Sequence, residues 1–261
     1  MNSNETLTNT KPFKFNKNEI KRLHAIKERI SIGQDIFDGV ILAWEGDYQN
    51  FKYDSKNKQY FQYLDIESTD TIIDAGINKG RETLKFYKTV GKHGKIYAFD
   101  PWGSKYVCKP LKQLLLLNKK YNVDNLQIIQ EALWNLDESV YFEGSRNSHS
   151  GSAQCFEKTK FNLDNQSGIK LDTYVYYNNI KKIDIIKMDI EGSELRALHG
   201  AIKTIKEFKP QIAVAVYHFK EHLYQIPELI LSYNEDYKLI FNQYDQQFVA
   251  DHPVESIMYF H

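Results

Sequence analysis

The chain has 261 residues, of which 34 are basic and 34 are acidic, so its formal net charge is zero. It is 42% apolar, 14% aromatic and 26% charged, values that exclude a disordered, collagenous or coiled-coil protein. The neutral balance disfavours a protein that binds mainly nucleic acid or an anionic membrane, since both partners require a basic field. No apolar run approaches the ~20 residues that span a bilayer.

The N-terminal part is polar at first and then aromatic. Residues 1–17 lack the apolar core of a secretory signal, and Cys108 and Cys155 are too few for a disulfide framework or a metal-binding pair. We therefore expect a cytoplasmic protein. Apolar residues at helical spacing predict a helix over 18–32. The aromatic segment 36–68 predicts short strands and helices that cap the rest of the chain or form a homo-oligomer interface.

Strand-like apolar runs alternate with amphipathic helical stretches from residue 69 onward. The strands are expected at 71–75, 95–100, 126–130, 183–189, 211–217, 237–242 and 255–260, and the helices near 80–90, 104–120, 192–207 and 219–232. This alternation predicts βαβ units and a mostly parallel sheet with helices on both faces, an α/β fold. We divide the chain into an N-terminal extension, residues 1–68, and an α/β domain, residues 69–261.

Residues 138–171 depart from this alternation. They contain two weak strand signals around a polar stretch, 144–168, which is too long for an ordinary connection and predicts an excursion hairpin or a functional loop. Its hydrogen-bond donors suit sugar hydroxyls or a diphosphate, and a guanidinium can bind phosphate bidentately. A solvated surface loop would have the same composition. The candidates for acceptor binding in this stretch are Arg146, Ser148, His149 and Ser150.

A glycine-rich turn follows the first strand of the α/β domain, with the sequence Asp74-Ala-Gly76-Ile-Asn78-Lys-Gly80-Arg-Glu-Thr83. Glycines between a strand and a helix let a ligand approach the backbone closely. The spacing is G-x-x-x-G rather than the dinucleotide fingerprint G-x-G-x-x-G, and a carboxylate here would repel a pyrophosphate but attract an ammonium. The turn therefore favours S-adenosylmethionine over a nicotinamide dinucleotide, although a turn that needs glycine for geometry alone would look the same.

The ends of the next two strands offer further ligands for such a cofactor. Asp100 is placed to accept both ribose hydroxyls, and Pro101 and Trp102 are placed to flank the adenine. Glu131 and Ala132 follow the third strand, where a carboxylate would accept from the adenine amino group. Core packing is the commoner role of a single tryptophan, and an exposed loop position explains Glu131 nearly as well.

Ionisable residues also follow the fourth and fifth strands. Asp189 and Glu191 come directly after the run IDIIKM, and Tyr217 and His218 end the run IAVAVYH. In an open parallel sheet, ligands bind beyond the carboxyl ends of the strands, so these groups would meet those of the glycine turn at one edge. A cluster of this kind is more readily explained by function than by structure.

These segments together resemble the FkbM family of methyltransferases. The resemblance depends on I-I-D-A-G-x-N-x-G-x-x-T and Y-A-F-D-P, on I-I-K-M-D-I-E-G-S-E-L-x-A-L-x-G-A, and on K-P-x-I-A-V-A-V-Y-H with a later I-P, and it covers roughly 70–260. It implies a class I, S-adenosylmethionine-dependent methyltransferase domain over 69–261, with a seven-stranded Rossmann-like sheet whose last strand is antiparallel. Members are typically O-methyltransferases, several of which act on sugars.

The resemblance assigns roles to individual positions of this chain. Asp74, Gly76 and Gly80 correspond to the cofactor loop and Asp100 to the ribose ligand. The chain departs from the family at two points: Asp100 stands where members more often carry Glu, and Lys79 stands where a small or apolar residue is usual. These departures affect the detail of the loop rather than its use.

Methyl transfer to a hydroxyl requires a group that removes the proton. We expect His218 to be the general base, with Asp189 and Glu191 orienting the acceptor beside Tyr217. Alternatively, Asp189, Glu191 and His218 bind Mg²⁺ or Mn²⁺, which would lower the pKa of the hydroxyl. We favour the metal-free base.

The expected acceptor is a small sugar or nucleotide-sugar, such as a precursor of a surface polysaccharide. The lack of an N-P-P-Y-type tetrapeptide after the fourth strand disfavours a nucleic acid base as acceptor. Two alternatives remain open at this stage. One is metal-dependent methylation of a small natural product, and the other is a non-catalytic module that keeps the fold without the chemistry.

Overall fold

The computed structural model describes residues 14–45, 59–143, 154–156, 164–244 and 255–261. In chain order its elements are α1 (Lys17–Arg29), β1 (Ile30–Ile32), α2 (Gln34–Trp44), β2 (Thr71–Ala75), α3 (Arg81–Val90), β3 (Lys95–Phe99), α4 (Lys109–Tyr121), β4 (Leu126–Ile129), β5 (Ala132–Leu133), β6 (Glu138–Glu143), β7 (Gln154–Phe156), β8 (Asp164–Ile169), α5 (Leu171–Tyr177), β9 (Ile185–Met188), α6 (Glu194–His199), α7 (Ile202–Phe208), β10 (Gln211–Ala215), α8 (His222–Tyr233), β11 (Leu239–Gln243) and β12 (Ser256–Phe260). None of these helices is long and apolar enough to cross a membrane.

The central sheet has the strand order β1-β11-β12-β10-β9-β2-β3-β4. Its strands pair in parallel except β12, which is antiparallel to both β10 and β11. Alternate side chains of the strands contribute to two separate apolar clusters, as expected for a sheet that is covered on both faces. The mostly parallel α/β fold with an antiparallel last strand is therefore confirmed.

The expected number of seven strands is wrong by one, because the short strand β1 joins the edge of the sheet beside β11. The predicted helix over 18–32 begins at a capping box formed by Asn16 and Glu19, but it ends at Arg29. Ile30 then pairs in parallel with Leu239. The β-branched Ile-Ser-Ile segment fits helical and strand patterns equally, so the available partner strand decides.

The helices before the sheet share its core. Helix α1 packs on α8 and α2 packs on β11, where the rings of Phe37 and Phe241 lie 4.9 Å apart. Helix α2 begins after Gly33, which has φ +94°, and a Cβ there would lie 1.9 Å from the Phe241 carbonyl oxygen. Residues 46–58 of the aromatic segment lie outside the described residues. Tyr60, farther along this segment, is buried in the cluster on the opposite face of the sheet. A domain boundary at residue 69 stays a prediction.

The excursion between β4 and β9 contains a second sheet with the strand order β5-β8-β6-β7. Strand β6 is antiparallel to both β7 and β8, so this segment includes a β-hairpin. Residues 144–153 and 157–163 lie outside the described residues. The predicted acceptor ligands Arg146, Ser148, His149 and Ser150 fall there and stay predictions.

Candidate functional site

The carboxyl ends of four neighbouring strands form the candidate site. Strands β10, β9, β2 and β3 lie side by side and run in the same direction, so the loops that follow them open at one edge of the sheet. These loops carry the glycine turn, Asp100, Asp189 and His218. The structure thus brings the predicted ionisable residues to one edge, in two groups with different surroundings.

The turn between β2 and α3 requires glycine at positions 76 and 80 for two reasons: both have a positive φ, and neither has room for a Cβ. Gly76 has φ +85°, and a Cβ there would lie 1.8 Å from the carbonyl oxygen of Asp189. Gly80 has φ +71°, and a Cβ there would overlap a side chain of α4 at 2.1 Å. The backbone N–H of Asn78, another left-handed residue, donates to the carboxylate of Asp100 at 3.1 Å. The turn is therefore held against both neighbouring strand ends.

Asp74 is paired inside the sheet. The register of β2 and β9 makes Asp74 and Lys187 direct neighbours, and Nζ of Lys187 lies 3.2 Å from Oδ1 of Asp74. The Thr83 hydroxyl donates to Oδ2 of Asp74 at 2.6 Å. Lys187 also donates to the carbonyl oxygens of Ala75, at 3.1 Å, and Gly76, at 2.6 Å. Asp74, Thr83 and Lys187 are all buried, and we call them the lysine centre.

The lysine centre is balanced in charge. Burial opposes the charge of Lys187, but Asp74 and Asp189 outweigh it and hold the pKa of Lys187 above its usual value. The carboxylate of Asp74 has no exposed surface. The predicted role of Asp74 in cofactor binding would therefore be exerted through the shape of the turn, because Lys187 joins the carboxylate to the Gly76 carbonyl.

Asp100 lies at the end of β3 and is partly exposed. Its Oδ1 accepts the backbone N–H of Trp102 at 2.9 Å, and its Oδ2 accepts that of Asn78. Burial raises the pKa of Asp100, and these two N–H groups oppose the rise. Each oxygen can accept a further hydrogen bond, which suits the predicted contact with ribose hydroxyls. Pro101 and Trp102 are half-buried, and Trp102 packs on the apolar cluster of the second sheet.

Glu131 and Ala132 mark the passage from the central sheet to the second sheet. The Ser167 hydroxyl donates to Oε1 of Glu131 at 3.0 Å, so this carboxylate is tied to β8. Ala132 is buried beside Trp134 and Val140. Their predicted contacts with an adenine stay predictions.

Three carboxylates surround the imidazole of His218. Its Nε2 lies 3.6 Å from Oδ1 of Asp189 and 3.5 Å from Oε2 of Glu191, and its Nδ1 lies 3.0 Å from Oε1 of Glu194. The side chain of Glu194 is completely buried, whereas those of Asp189 and Glu191 are 23% and 34% exposed. One nitrogen of His218 therefore faces a buried carboxylate and the other faces two partly exposed ones. We call these four residues the histidine centre.

Carboxylates outnumber cations in the histidine centre. Burial alone would lower the pKa of His218, but Glu194, Glu191 and Asp189 hold it well above the usual value. Burial raises the pKa of Glu191, and His218 opposes that rise. Complete burial would also raise the pKa of Glu194, but His218 lowers it below its usual value. The centre thus favours the imidazolium form of His218.

A strained turn presents Glu191 to this centre. Glu191 has φ +55° and Gly192 has φ +95°, and a Cβ on Gly192 would lie 2.4 Å from the ring of Phe219. The backbone N–H of Ser193 donates to the carbonyl of Ile190 at 3.2 Å and closes the turn. A left-handed residue other than glycine costs about 1–3 kcal/mol, and such residues cluster at functional sites.

Two tyrosine hydroxyls donate to Asp189. Tyr60 reaches Oδ2 at 2.7 Å and Tyr217 reaches Oδ1 at 3.2 Å. Burial and the charge of Asp189 raise the pKa of both phenols, which therefore stay protonated donors. Tyr217, which the sequence predicts to bind the acceptor, therefore also helps to hold the carboxylate of Asp189 in place.

Sequence reasoning missed Tyr60, Lys187 and Glu194. Lys187 had a signal, because a lone lysine inside an apolar strand requires a buried partner. Glu194 resembled an ordinary acidic residue at the start of a helix. Tyr60 had no signal, because its partner Asp189 is 129 positions away in the chain.

The residues that could hold a metal ion differ from the expected set. Among the described residues, Asp189, Glu194 and His218 offer ligand atoms within 4.8 Å of one another, whereas the expectation had Glu191 in place of Glu194. Nδ1 of His218 lies 3.0 Å from Oε1 of Glu194, so the imidazole and this carboxylate are in direct contact. A metal-free imidazole accounts for the geometry, and Mg²⁺ or Mn²⁺ stays a prediction.

The residues of both centres lie in the part of the chain that matches a known protein family. A family model described as a methyltransferase FkbM domain matches residues 74–239, more than half of the chain. The match includes both the lysine centre and the histidine centre. Tyr60 lies outside it. No curated protein sequence matches this chain.

The fold is similar to that of a solved methyltransferase structure. The chain is similar to the methyltransferase FkbM from Methylobacillus flagellatus KT, with 18% identity and a TM-score of 0.68 over 94% of this chain and 59% of that one. The chain therefore spans about three-fifths of the length of that protein. It also matches Aeropyrum pernix fibrillarin, solved with bound S-adenosyl-L-methionine, with 11% identity and a TM-score of 0.43 over 76% of this chain and 69% of that one.

Proposed function

The chain belongs to the FkbM methyltransferase family, and on that premise we propose that it transfers a methyl group from S-adenosylmethionine to a hydroxyl of a sugar, with His218 as general base. One observation carries the proposal. Nε2 of His218 lies between Asp189 and Glu191 at the edge of the sheet where the glycine turn also opens. A buried proton acceptor thus lies beside two partly exposed groups that can orient a hydroxyl.

The glycine turn supports a bound S-adenosylmethionine. Gly76 and Gly80 let the backbone of the turn pack closely against Asp189 and α4, and Asp100 offers carboxylate oxygens for the ribose hydroxyls. When bound, this cofactor supplies an electrophilic methyl group on a cationic sulfur. The turn contacts the backbone of Asp189 directly, so a ligand on the turn would lie beside the histidine centre. Excess carboxylates in that centre give the negative potential that favours a cationic ligand.

The residues of the histidine centre divide the handling of the acceptor among them. Asp189, held by Tyr60 and Tyr217, accepts a hydrogen bond from a neighbouring hydroxyl of the acceptor and so directs the reacting hydroxyl toward His218. Nε2 of His218 would take the proton of the reacting hydroxyl as its oxygen accepts the methyl group, and S-adenosylmethionine would lose its carbon–sulfur bond to that methyl and leave as the neutral thioether. Asp189 and Glu191 then stabilise the imidazolium. Because a carboxylate can accept two or more hydrogen bonds, this pair suits an acceptor with several neighbouring hydroxyls, as in a sugar.

The proposal implies a specific dependence on pH. His218 accepts a proton only when it is neutral, and the three carboxylates hold its pKa well above the usual value. Activity should therefore rise as the pH rises through that higher pKa. A histidine base in a neutral environment would instead reach full activity at a lower pH.

A nucleotide-activated sugar, as a precursor of a surface polysaccharide, is the acceptor we propose within this class. The proposal extends the family's typical O-methyl transfer and the predicted phosphate contact of Arg146. Transfer of labelled methyl groups from S-adenosylmethionine to a panel of nucleotide-sugars, the matching free sugars and small phenols tests it. We expect label on nucleotide-sugars first. Label on phenols alone would contradict the sugar assignment. If a chelator abolished activity and Mg²⁺ or Mn²⁺ restored it, the reaction would depend on a metal ion and the metal-free base would be wrong.

Cofactor binding is tested separately by calorimetry, so that a wrong acceptor does not hide a correct cofactor. S-adenosylmethionine should bind to the wild type and bind more weakly to Asp100→Ala, whereas NAD should not bind. Asp124→Ala, which removes an exposed carboxylate with a surface ion pair to Lys95, is the matched control and should bind as the wild type does. A protein that binds no S-adenosylmethionine would be the non-catalytic module instead.

A further inference from the structure

We propose that Glu194 is the positioning residue for His218: it holds the proton on Nδ1, so that Nε2 is left to receive the proton of the acceptor. The proposal rests on the proposed function of His218 as the base. Glu194 has no role in the sequence prediction, and a general base does not by itself require it.

The geometry around Glu194 carries the proposal. Oε1 of Glu194 lies 3.0 Å from Nδ1 of His218, shorter than either contact of Nε2 with Asp189 or Glu191. The same oxygen accepts the backbone N–H of Ile190 at 2.8 Å, which fixes the carboxylate at the turn. A carboxylate held in this way orients an imidazole and selects the tautomer with its proton on Nδ1.

The burial of Glu194 argues against a purely structural role. Its side chain is 0% exposed, and within the described residues Oε2 makes no hydrogen bond. Nδ1 of His222 lies 3.6 Å from Oε2, and burial lowers the pKa of His222 to about 4, so that imidazole is neutral. A fully buried carboxylate with one oxygen unsatisfied is costly unless a nearby cation needs it. The imidazole of His218 lies closer to Glu194 than that of His222 does, and its charged form would be that cation.

The other ionisable groups that face His218 come from three elements. Asp189 and Glu191 belong to the turn after β9, Tyr217 precedes His218 with its ring 4.2 Å away, and His222 lies on α8. Asp189 and Glu191 are partly exposed, so water screens them more than it screens Glu194. Removing the charge of Glu194 should therefore change the protonation of His218 more than removing that of Glu191.

The test measures the pKa of His218 by NMR in the folded protein, with His218→Gln used to assign its ring signal. We compare the wild type with Glu194→Gln and, as matched control, Glu191→Gln. Glu194→Gln should lower the pKa of His218 by about 1–3 pH units, and Glu191→Gln by less. Glu194→Asp, which keeps the charge, should retain most of the raised pKa. Circular dichroism at each pH confirms that the variants are folded.

Activity against pH in the same variants separates the two proposals. If the pH at which activity rises shifts down with the pKa of His218 in Glu194→Gln, and kcat falls while KM stays within about twofold, both proposals are supported. If the pKa shifts but activity does not follow, Glu194 positions His218 but His218 is not the base. If the pKa of His218 is the same in Glu194→Gln as in the wild type, the role of Glu194 is overturned, whatever His218 does. Failure of Glu194→Gln to fold, with Glu194→Asp folded and its His218 pKa at the usual value, would also overturn it.

Discussion

The lysine centre and the histidine centre lie two residues apart along β9 and its following turn, yet they handle buried charge in opposite ways. In the lysine centre one ammonium meets one carboxylate, and Thr83 and two carbonyl oxygens satisfy the remaining positions. In the histidine centre three carboxylates share one imidazole, and two of the three reach solvent. The first arrangement is closed, and the second leaves negative charge available to a ligand or to a proton.

This difference separates architecture from chemistry at one edge of the sheet. A balanced, fully buried pair contributes a fixed geometry, and breaking it leaves one charge without a partner. An unbalanced, partly exposed group has a shifted pKa and free hydrogen-bond capacity, which is the usual condition of a catalytic site. We therefore expect substitutions in the lysine centre to change mainly stability and substitutions in the histidine centre to change mainly rate.

The largest effect is expected for His218→Gln. Loss of a general base typically lowers the rate about 10²–10⁴-fold, while binding of S-adenosylmethionine should stay within a few-fold of the wild type. Methyl-transfer assays and calorimetry on the same samples measure the two quantities. His199→Gln, on an exposed position of α6, is the control and should change neither. Equal loss of binding and rate would make His218 a structural residue or a cofactor contact.

Lys187→Met should have the next largest effect, and on stability. It leaves Asp74 buried without its ion pair, which costs about 3–5 kcal/mol. Chemical denaturation of Lys187→Met, Asp74→Asn and the double variant measures the coupling. The double variant should be more stable than Lys187→Met alone, because it removes the unpaired charge. Strictly additive losses would show that the two side chains do not form a pair.

Gly76→Ala and Gly91→Ala compare two left-handed glycines that differ in their surroundings. A Cβ on Gly91 would meet nothing within 4 Å, whereas one on Gly76 would lie 1.8 Å from the Asp189 carbonyl oxygen. Gly91→Ala should cost only backbone strain, about 1–3 kcal/mol. Gly76→Ala should cost more and also weaken cofactor binding. Equal unfolding free energies for the two variants would show that close packing of Gly76 on Asp189 does not contribute to stability.

Tyr60→Phe and Tyr217→Phe should have the smallest effects. Each variant loses one hydrogen bond to a carboxylate, which should lower the free energy of unfolding by about 1.5–3 kcal/mol. The loss should fall toward the lower end of this range, because Asp189 is partly exposed. Because both hydroxyls act on the same carboxylate, the double variant should depart from additivity in methyl-transfer rate. Additive effects on rate would mean that the tyrosines do not act through Asp189.

The fold was largely predictable from the sequence because the strands of a parallel sheet are continuous apolar runs. The seven expected strands all form, since runs such as TIIDA and IAVAV leave few alternatives. Strand β1 was missed because its three residues continue the helical spacing of α1 and are too few to show the alternation of a strand. Its pairing with β11 depends on a partner more than 200 positions away, which no local pattern reveals.

The candidate site was predictable only at strand ends. Asp100, Asp189 and His218 follow apolar runs, so the topology alone brings them to one edge. What each residue contacts depends on register and on packing between distant segments. The pairing of Asp74 with Lys187 follows from the register of β2 and β9. The contact of Glu194 with His218 follows from how the start of α6 lies beside the segment between β10 and α8. Local patterns contain neither.

The measurement that tests the central claim most directly is the single-turnover rate of methyl transfer against pH, set beside the unfolding free energy of wild type and His218→Gln. Because the folded pKa of His218 is raised, its contribution to stability is full below its unfolded pKa and is lost as the pH rises through the folded pKa. The rate should rise over that same pH window, since the neutral imidazole is the base. A rate that is independent of pH there, or that rises where the stability contribution of His218 does not change, would contradict the account.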